Sequence, residues 1–113
     1  MQFETIFVYG TLKRGFSNED SLSSIGVFIK EAKTDDKFDL RQDLFPCLLE
    51  TPVSRIKGEL WTLPKRQLRV IDHFEDHPKL YKRKKILVEG KDVWAYFYQG
   101  GHVWGNSITE YKE

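Results

Sequence analysis

A chain of 113 residues, 40% hydrophobic and 14% aromatic, is long enough to bury one core and too short for two, so a single domain over 1–113 is expected. Eighteen Lys and Arg against 17 Asp and Glu leave a net charge of only +1, which argues against a general polyanion-binding role. One cysteine, Cys47, rules out an intramolecular disulfide and a cysteine metal cluster, and no stretch approaches a charged leader or the ~20 apolar residues of a membrane span, so a cytoplasmic location is expected.

Thr5-Ile6-Phe7-Val8-Tyr9 is a run of β-branched and aromatic residues without alternation, the pattern of a strand buried on both faces. It stops at Gly10. In Gly10-Thr11-Leu12-Lys13-Arg14-Gly15 two glycines follow a strand, a setting that can leave successive backbone N–H groups facing an anion; an ordinary turn has the same composition. A P-loop is excluded by the spacing and by the missing terminal Lys-Ser/Thr pair. Asn18 is placed to cap a short helix through Leu22, with Glu19 and Asp20 in its first turn and Gly26 at its end. Val27 to Lys33 reads as a second strand and Thr34 to Lys37 as a turn. Phe38 to Leu40 is too short to assign. Leu44 to Leu49 is apolar but carries Pro46, which suits a buried loop or irregular edge better than a central strand. Cys47 there reads as a small core residue, since neither a base nor a polar setting accompanies it.

Arg55 to Leu63 alternates like a strand with one buried face and leads through Pro64 into the segment that departs furthest from pattern. If Pro64 opens a helix, Leu68, Val70, Ile71 and Phe74 gather on one side, while Lys65, Arg66, Arg69, Asp72 and His73 take the other. At about 100° per residue, Glu75 falls about 20° from Leu68 and about 40° from Ile71, inside the apolar arc. It also sits in the last turn, where the helix dipole disfavours a negative charge. A carboxylate that breaks two local rules marks a candidate functional site. A helix that ends one residue early, releasing Glu75 to solvent, accounts for the same pattern. Pro78 then forces an extended or turn conformation at His77. Tyr81 to Glu89 and Lys91 to Gln99 read as two strands joined around Gly90, the second central because both faces of Val93 to Tyr98 are apolar. The tail from Gly100 offers Trp104 and Ile108 for packing in an irregular wrap.

Rival chemistries fare poorly. His73 and His77 are four apart with carboxylates between them, but Pro78 breaks a continuing helix and His73 lies on the polar arc, so no metal is expected. Lys79 and Lys82 to Lys85 form the one basic run; in a strand its side chains divide between two faces, which favours a solvated edge over nucleic-acid contact. No Gly-x-Ser-x-Gly elbow is present. There remain a first strand ending in Tyr9-Gly10-Thr11-Leu12 and a carboxylate on the core side of a later helix. Together they can hold a small anionic substrate by backbone donors and move protons.

The sequence resembles the γ-glutamylcyclotransferase-like superfamily, and within it the γ-glutamylamine cyclotransferase (avirulence-induced-gene-like) branch. The resemblance is carried by Phe7-Val8-Tyr9-Gly10-Thr11-Leu12-Lys13-Arg14-Gly15 with Asn18, by Gly58-Glu59-Leu60-Trp61, by Ile71-Asp72-x-Phe74-Glu75-x-x-Pro78-x-Leu80-Tyr81-x-Arg83 and by Ala95-Tyr96-x-Tyr98, in the family's order. It implies an α+β fold, a small mixed β-barrel with flanking short helices and an active cavity at one end. Tyr9, Gly10, Thr11 and Leu12 would hold the region of the substrate's α-carboxylate, Glu75 would be the catalytic acid/base, and Tyr81 would line the pocket. Arg83 would pair with a substrate carboxylate or with Glu75, or point outward. The implied reaction is intramolecular: the α-amine of a γ-glutamyl group attacks its own γ-carbonyl, giving 5-oxoproline and a free amine. The implied partner is thus a small γ-glutamyl molecule, with no metal, organic cofactor, nucleic acid or membrane. Asp76 stands where many members have glycine, and would add a negative charge beside Glu75. Two rival readings keep the fold: a binding protein without turnover, and removal of a γ-glutamyl group from a larger tagged molecule.

Overall fold

In the computed structural model, which describes residues 2–113, the first strand (β1, Phe3–Val8) lies at the centre of a five-stranded sheet. It pairs antiparallel with β5 (Lys57–Pro64) and parallel with β7 (Lys91–Tyr98); β2 (Val27–Lys33) and β6 (Tyr81–Val88) form the edges. A three-stranded sheet of β4 (Pro46–Ser54), β3 (Phe38–Gln42) and the short β8 (Ser107–Ile108) packs beside it. Two short helices, α1 (Glu19–Ser23) and α2 (Leu68–Phe74), complete the α+β fold. The expected β-barrel is not closed: the strands form two separate sheets, whose ladders do not join into one ring.

The unbroken apolar run of β1 follows from this position. Phe7 and Tyr9 enter a core shared with Leu40 and Leu48 of the small sheet, whereas Ile6 and Val8 face a second core with Leu22 of α1 and Leu68 and Ile71 of α2. One strand therefore serves two cores, and alternation in hydrophobicity has no solvent face to report. The same holds for β5: the expected single buried face is replaced by burial from Gly58 through Trp61 and again at Leu63, because Leu60 enters the first core and Trp61 and Leu63 the second.

Local chemistry explains the remaining differences. Pro46 begins β4, at the edge of its sheet, where a missing N–H is tolerated. Phe38 extends into a five-residue strand because β4 and β8 pair on either side of β3. Pro64 ends β5, and a 3₁₀ turn at Lys65–Gln67 precedes α2, so the helix is shorter than the periodicity implied. The hairpin around Gly90 is as expected, with Glu89 and Gly90 both at positive φ (52° and 76°). The Asp35 carboxylate accepts from both their N–H groups at 2.8 Å and so fixes the tip. In the tail, Ile108 packs on the core, but Trp104 is 71% exposed and its neighbour Val103 is buried instead, together with Tyr111. Among the described residues no helix is long and apolar enough to cross a membrane.

Gly58 marks the tightest crossing in the larger sheet: a Cβ there would lie 2.5 Å from Phe7 Cζ and closer still to the Val8 carbonyl oxygen. Gly58→Ala is expected to destabilise by about 1–3 kcal/mol, as overpacking of a core does. Denaturant unfolding with an unchanged midpoint would show that the two strands have room to part.

Candidate active site

Helix α2 ends one residue before Glu75, as the blander of the two readings required, yet Glu75 is not released. Its backbone keeps helical angles (φ −86°, ψ 0°) and its N–H donates to Ile71 O at 2.9 Å. The side chain therefore continues the helical wheel. Leu68 and Ile71, which flank it in angle, are the buried residues of α2; Val70 and Phe74, on the far side of the arc, are 41% and 39% exposed. The buried direction is thus centred closer to Glu75 than to the hydrophobic residues that defined the arc. Asp76 then takes φ 52° and turns the chain away. Aspartate tolerates this left-handed conformation, which glycine adopts without strain.

Glu75 opens into a cavity of about 200 Å³. The walls come from the end of β1 and the following turn, from Asn18, from Pro46 at the start of β4, and from Tyr81 and Tyr96 of the hairpin strands. The structure brings together all six residues singled out from sequence: Tyr9, Gly10, Thr11, Leu12, Glu75 and Tyr81 line this one space. Burial pushes the Glu75 carboxyl up to about 7 from an ordinary 4.5. Exposed Asp76 does not contribute to that rise.

Three phenols surround the carboxylate, and each has committed its proton elsewhere. Tyr9 Oη donates to Tyr96 O, Tyr81 Oη to Pro46 O and Tyr96 Oη to Asp72 Oδ1, all at 2.6 Å. Burial raises all three phenols, and the negative charge of Glu75 raises them further, so they stay neutral. Among the described residues, no side chain forms a hydrogen bond or ion pair with the Glu75 carboxylate. The cavity therefore contains a base whose proton affinity suits neutral pH and whose oxygens are unengaged. Cys47 lies nearby in the core, its thiol pushed up to about 11 by burial, and so remains protonated.

The turn after β1 is held from behind. Glu59, only 6% exposed, accepts from Arg14 N (3.0 Å), Arg14 Nε (3.2 Å) and Trp61 Nε1 (3.1 Å). The buried Lys13 ammonium donates to Tyr111 O at 2.8 Å, and the Arg14 guanidinium stacks 3.5 Å from the Phe28 ring centre. In front, Asn18 N donates to Thr11 O and Asn18 Nδ2 to Thr11 Oγ1, both at 2.9 Å. Asn18 precedes α1 as expected, but its side chain does not cap the helix and ties the turn instead. Gly10 is required by close approach: a Cβ would lie 2.6 Å from Pro46 Cγ. The N–H groups of Gly10, Thr11 and Leu12 have no partner among the described residues.

Several expectations shift. Arg83 pairs with Asp72 (Nε to Oδ1, 2.8 Å) and stacks over Trp94 instead of reaching Glu75, and its side chain stays partly open to solvent. His77 Nδ1 accepts from Arg83 N at 3.1 Å, and among the described residues no cluster of three or more His, Cys, Asp or Glu has metal-holding geometry. The basic run occupies edge strand β6, where Lys84 meets Glu50 and Lys85 stacks on Trp94. Sequence reading did not place Tyr96, Pro46 or Glu59 at the site. For Glu59 the available signals were its place in the Gly58-Glu59-Leu60-Trp61 block and a glutamate early in an otherwise apolar strand that leads to the helix.

A carboxyl raised on folding lends stability that is complete below pH 4.5 and is lost as pH climbs to about 7, on the order of 3 kcal/mol for this rise. Glu75→Gln should therefore melt several degrees above the wild type at pH 8 and level with it near pH 4.5; equal melting at both would show that the carboxylate is fully hydrated. Asp76→Gly should raise stability by about 0.5–1 kcal/mol by relieving the left-handed backbone. The same variant should leave the titration of Glu75, followed by NMR, unmoved; a fall in its midpoint would give Asp76 an electrostatic role at the site.

The family model described as gamma-glutamyl cyclotransferase, AIG2-like, matches residues 6–113. A Methanocaldococcus jannaschii protein, named as a candidate gamma-glutamylcyclotransferase, is 38% identical over 101 residues, covering 84% of each chain. The Homo sapiens gamma-glutamylaminecyclotransferase is 34% identical over 93 residues, which are 74% of this chain and 61% of that protein. The chain thus spans somewhat less than two thirds of this human relative. The crystal structure of a Mus musculus AIG2-like protein superimposes with a TM-score of 0.84 at 27% identity, covering 99% of this chain and 90% of the other. By matching family model, relatives and fold, the chain belongs to the gamma-glutamyl cyclotransferase, AIG2-like family of enzymes.

Proposed function

We propose that this enzyme cyclises the γ-glutamyl group of a γ-glutamyl amine, releasing 5-oxoproline and the amine, with Glu75 as the proton carrier. The observation that carries the reading is a partly buried, unpaired carboxylate with a proton affinity near neutrality, in one cavity with three unengaged backbone N–H groups.

The N–H groups of Gly10, Thr11 and Leu12 receive the substrate's α-carboxylate or the oxyanion, and the three neutral phenols leave the substrate ammonium as the proton source nearest Glu75. Ionised Glu75 takes one proton from the α-ammonium. The freed amine attacks the γ-carbonyl carbon, a C–N bond forms and the carbonyl oxygen takes the negative charge. Collapse of that intermediate breaks the bond to the departing nitrogen. Overall, two protons leave the α-nitrogen and two reach the departing one, and a single carboxyl can relay them one at a time. No water is consumed. Because nucleophile and electrophile belong to one molecule, confinement in a small cavity lowers the entropic part of the barrier by holding a near-attack shape.

A binding protein on the same fold is the competing reading. Burying an unpaired acid lowers stability at neutral pH, and recognition alone gives no reason to retain it.

The deciding measurement is 5-oxoproline release from a panel of γ-glutamyl amines, followed by mass spectrometry. Glu75→Gln should lower kcat by about 10²–10⁴-fold while leaving binding in place, since it keeps the shape and removes the proton transfer. The base must start ionised, so wild-type kcat/KM should climb with pH up to about 7 and then level. Full activity in the variant would overturn the mechanism.

A further inference from the structure

The proposed reaction leaves Asp72, on the same helix as the base, without a task; any part it has in catalysis rests on the cyclotransferase reading. Helical periodicity puts it with Lys65, Arg66, Arg69 and His73 on the polar side of α2, where a solvated carboxylate is the ordinary outcome. Its side chain is instead only 18% exposed. One oxygen, Oδ1, accepts from Arg83 Nε of β6 at 2.8 Å and from Tyr96 Oη of β7 at 2.6 Å. Arg83 and Tyr96 are register partners across the hairpin, so a single carboxylate holds both strands to the helix.

Hydrogen bonds around Asp72 close into a ring. Asp72 O accepts from His77 N at 2.8 Å, His77 Nδ1 accepts from Arg83 N at 3.1 Å, and Arg83 Nε returns to the Asp72 carboxylate. Glu75 lies within the span from Asp72 to His77 that this ring encloses. The direction in which the base points is therefore tied to the hairpin by three residues, none of which lines the cavity.

The same contacts withhold two donors from Glu75. Arg83 shares its face of β6 with Tyr81, and both Tyr81 and Tyr96 line the cavity that Glu75 enters. A guanidinium released from Asp72 would find in Glu75 an unpaired carboxylate on this side of the hairpin. Glu4, the other acid whose charge reaches Arg83, is taken by Trp94 Nε1 at 3.0 Å. A phenol released from Asp72 would have Glu75 as its neighbouring acceptor, near enough that the Glu75 charge already raises it. Either contact stabilises the ionised carboxylate and weakens the base. The remaining titratable groups around the cavity are settled without Asp72: Tyr9 donates to Tyr96 O, Tyr81 donates to Pro46 O and Cys47 keeps its proton, while no lysine or histidine is among the lining residues. We infer that Asp72 is a positioning residue: it occupies Arg83 and Tyr96, and so keeps the Glu75 carboxylate free for the substrate's ammonium.

The test is the titration of Glu75 by NMR in the free enzyme, set beside the acid limb of kcat/KM for 5-oxoproline release from a γ-glutamyl amide. It compares the wild type with Asp72→Asn, Asp72→Ala and the double variant Asp72→Asn/Arg83→Met. Asparagine keeps an acceptor for Tyr96 and releases only the guanidinium, so both midpoints should fall by about one pH unit or more from the wild-type value of about 7. Alanine releases the phenol as well, and the midpoints should fall further. In the double variant, which lacks the freed cation, they should return towards the wild-type value. A role confined to docking α2 on the hairpin would lower the melting temperature and kcat with both midpoints unmoved, and that result would overturn the inference. A double variant no higher than Asp72→Asn would overturn it equally. Should Asp72→Ala fail to fold, the nearly isosteric Asp72→Asn decides alone. Unmoved midpoints in variants of a wild type that does release 5-oxoproline leave the cyclotransferase reading intact; absence of 5-oxoproline from the wild type with every γ-glutamyl amine would overturn that reading, and the inference with it.

Discussion

The second half of strand β1, Ile6 to Val8, is covered on both faces, and the site depends on that constraint. Because its alternate residues serve two cores, the strand cannot shift register or tilt without unpacking one of them. The chain leaves the strand at Tyr9, still between the cores, and the turn beyond it is delivered to a fixed point near Pro46 and Glu75. The proposed cyclisation needs such a platform, since the geometry of an intramolecular reaction is sensitive to displacements well below the width of an atom.

Two glutamates inside the molecule show how burial separates structural from chemical roles. Glu59 accepts three hydrogen bonds, one from the guanidinium of Arg14. Glu75 has no such partners and is raised by burial. The first is a tie that keeps the turn in place; the second retains the reactivity that hydrogen bonds would have removed. The phenols enforce this division by donating to Tyr96 O, Pro46 O and Asp72, so that none is free to neutralise the base.

Features encoded in local pattern were legible in the sequence. The apolar run of β1, the hairpin around Gly90 and the misplacement of Glu75 on its helical wheel each depend on residues a few positions apart. Glu59, Pro46, Tyr96 and the tie from Asn18 to Thr11 were not legible in the same way. The Arg14–Glu59 tie spans 45 positions and the Tyr81–Pro46 bond 35, and no short-range period encodes either. The tail shows the limit most clearly. Trp104 is the larger apolar residue, but backbone direction decides which of two neighbours turns inward, and Val103 does.

The tie between Lys13 and the Tyr111 carbonyl joins residues 98 positions apart, and Ser17 reaches Glu113 across 96. During synthesis the strand and turn that build the site are made early, but the segment that backs the turn emerges only after the rest of both sheets. At roughly 5–20 residues per second the interval is several seconds, through which the nascent chain has an incomplete site and two unfinished cores. The turn is therefore backed as in the folded chain only once that segment has been made.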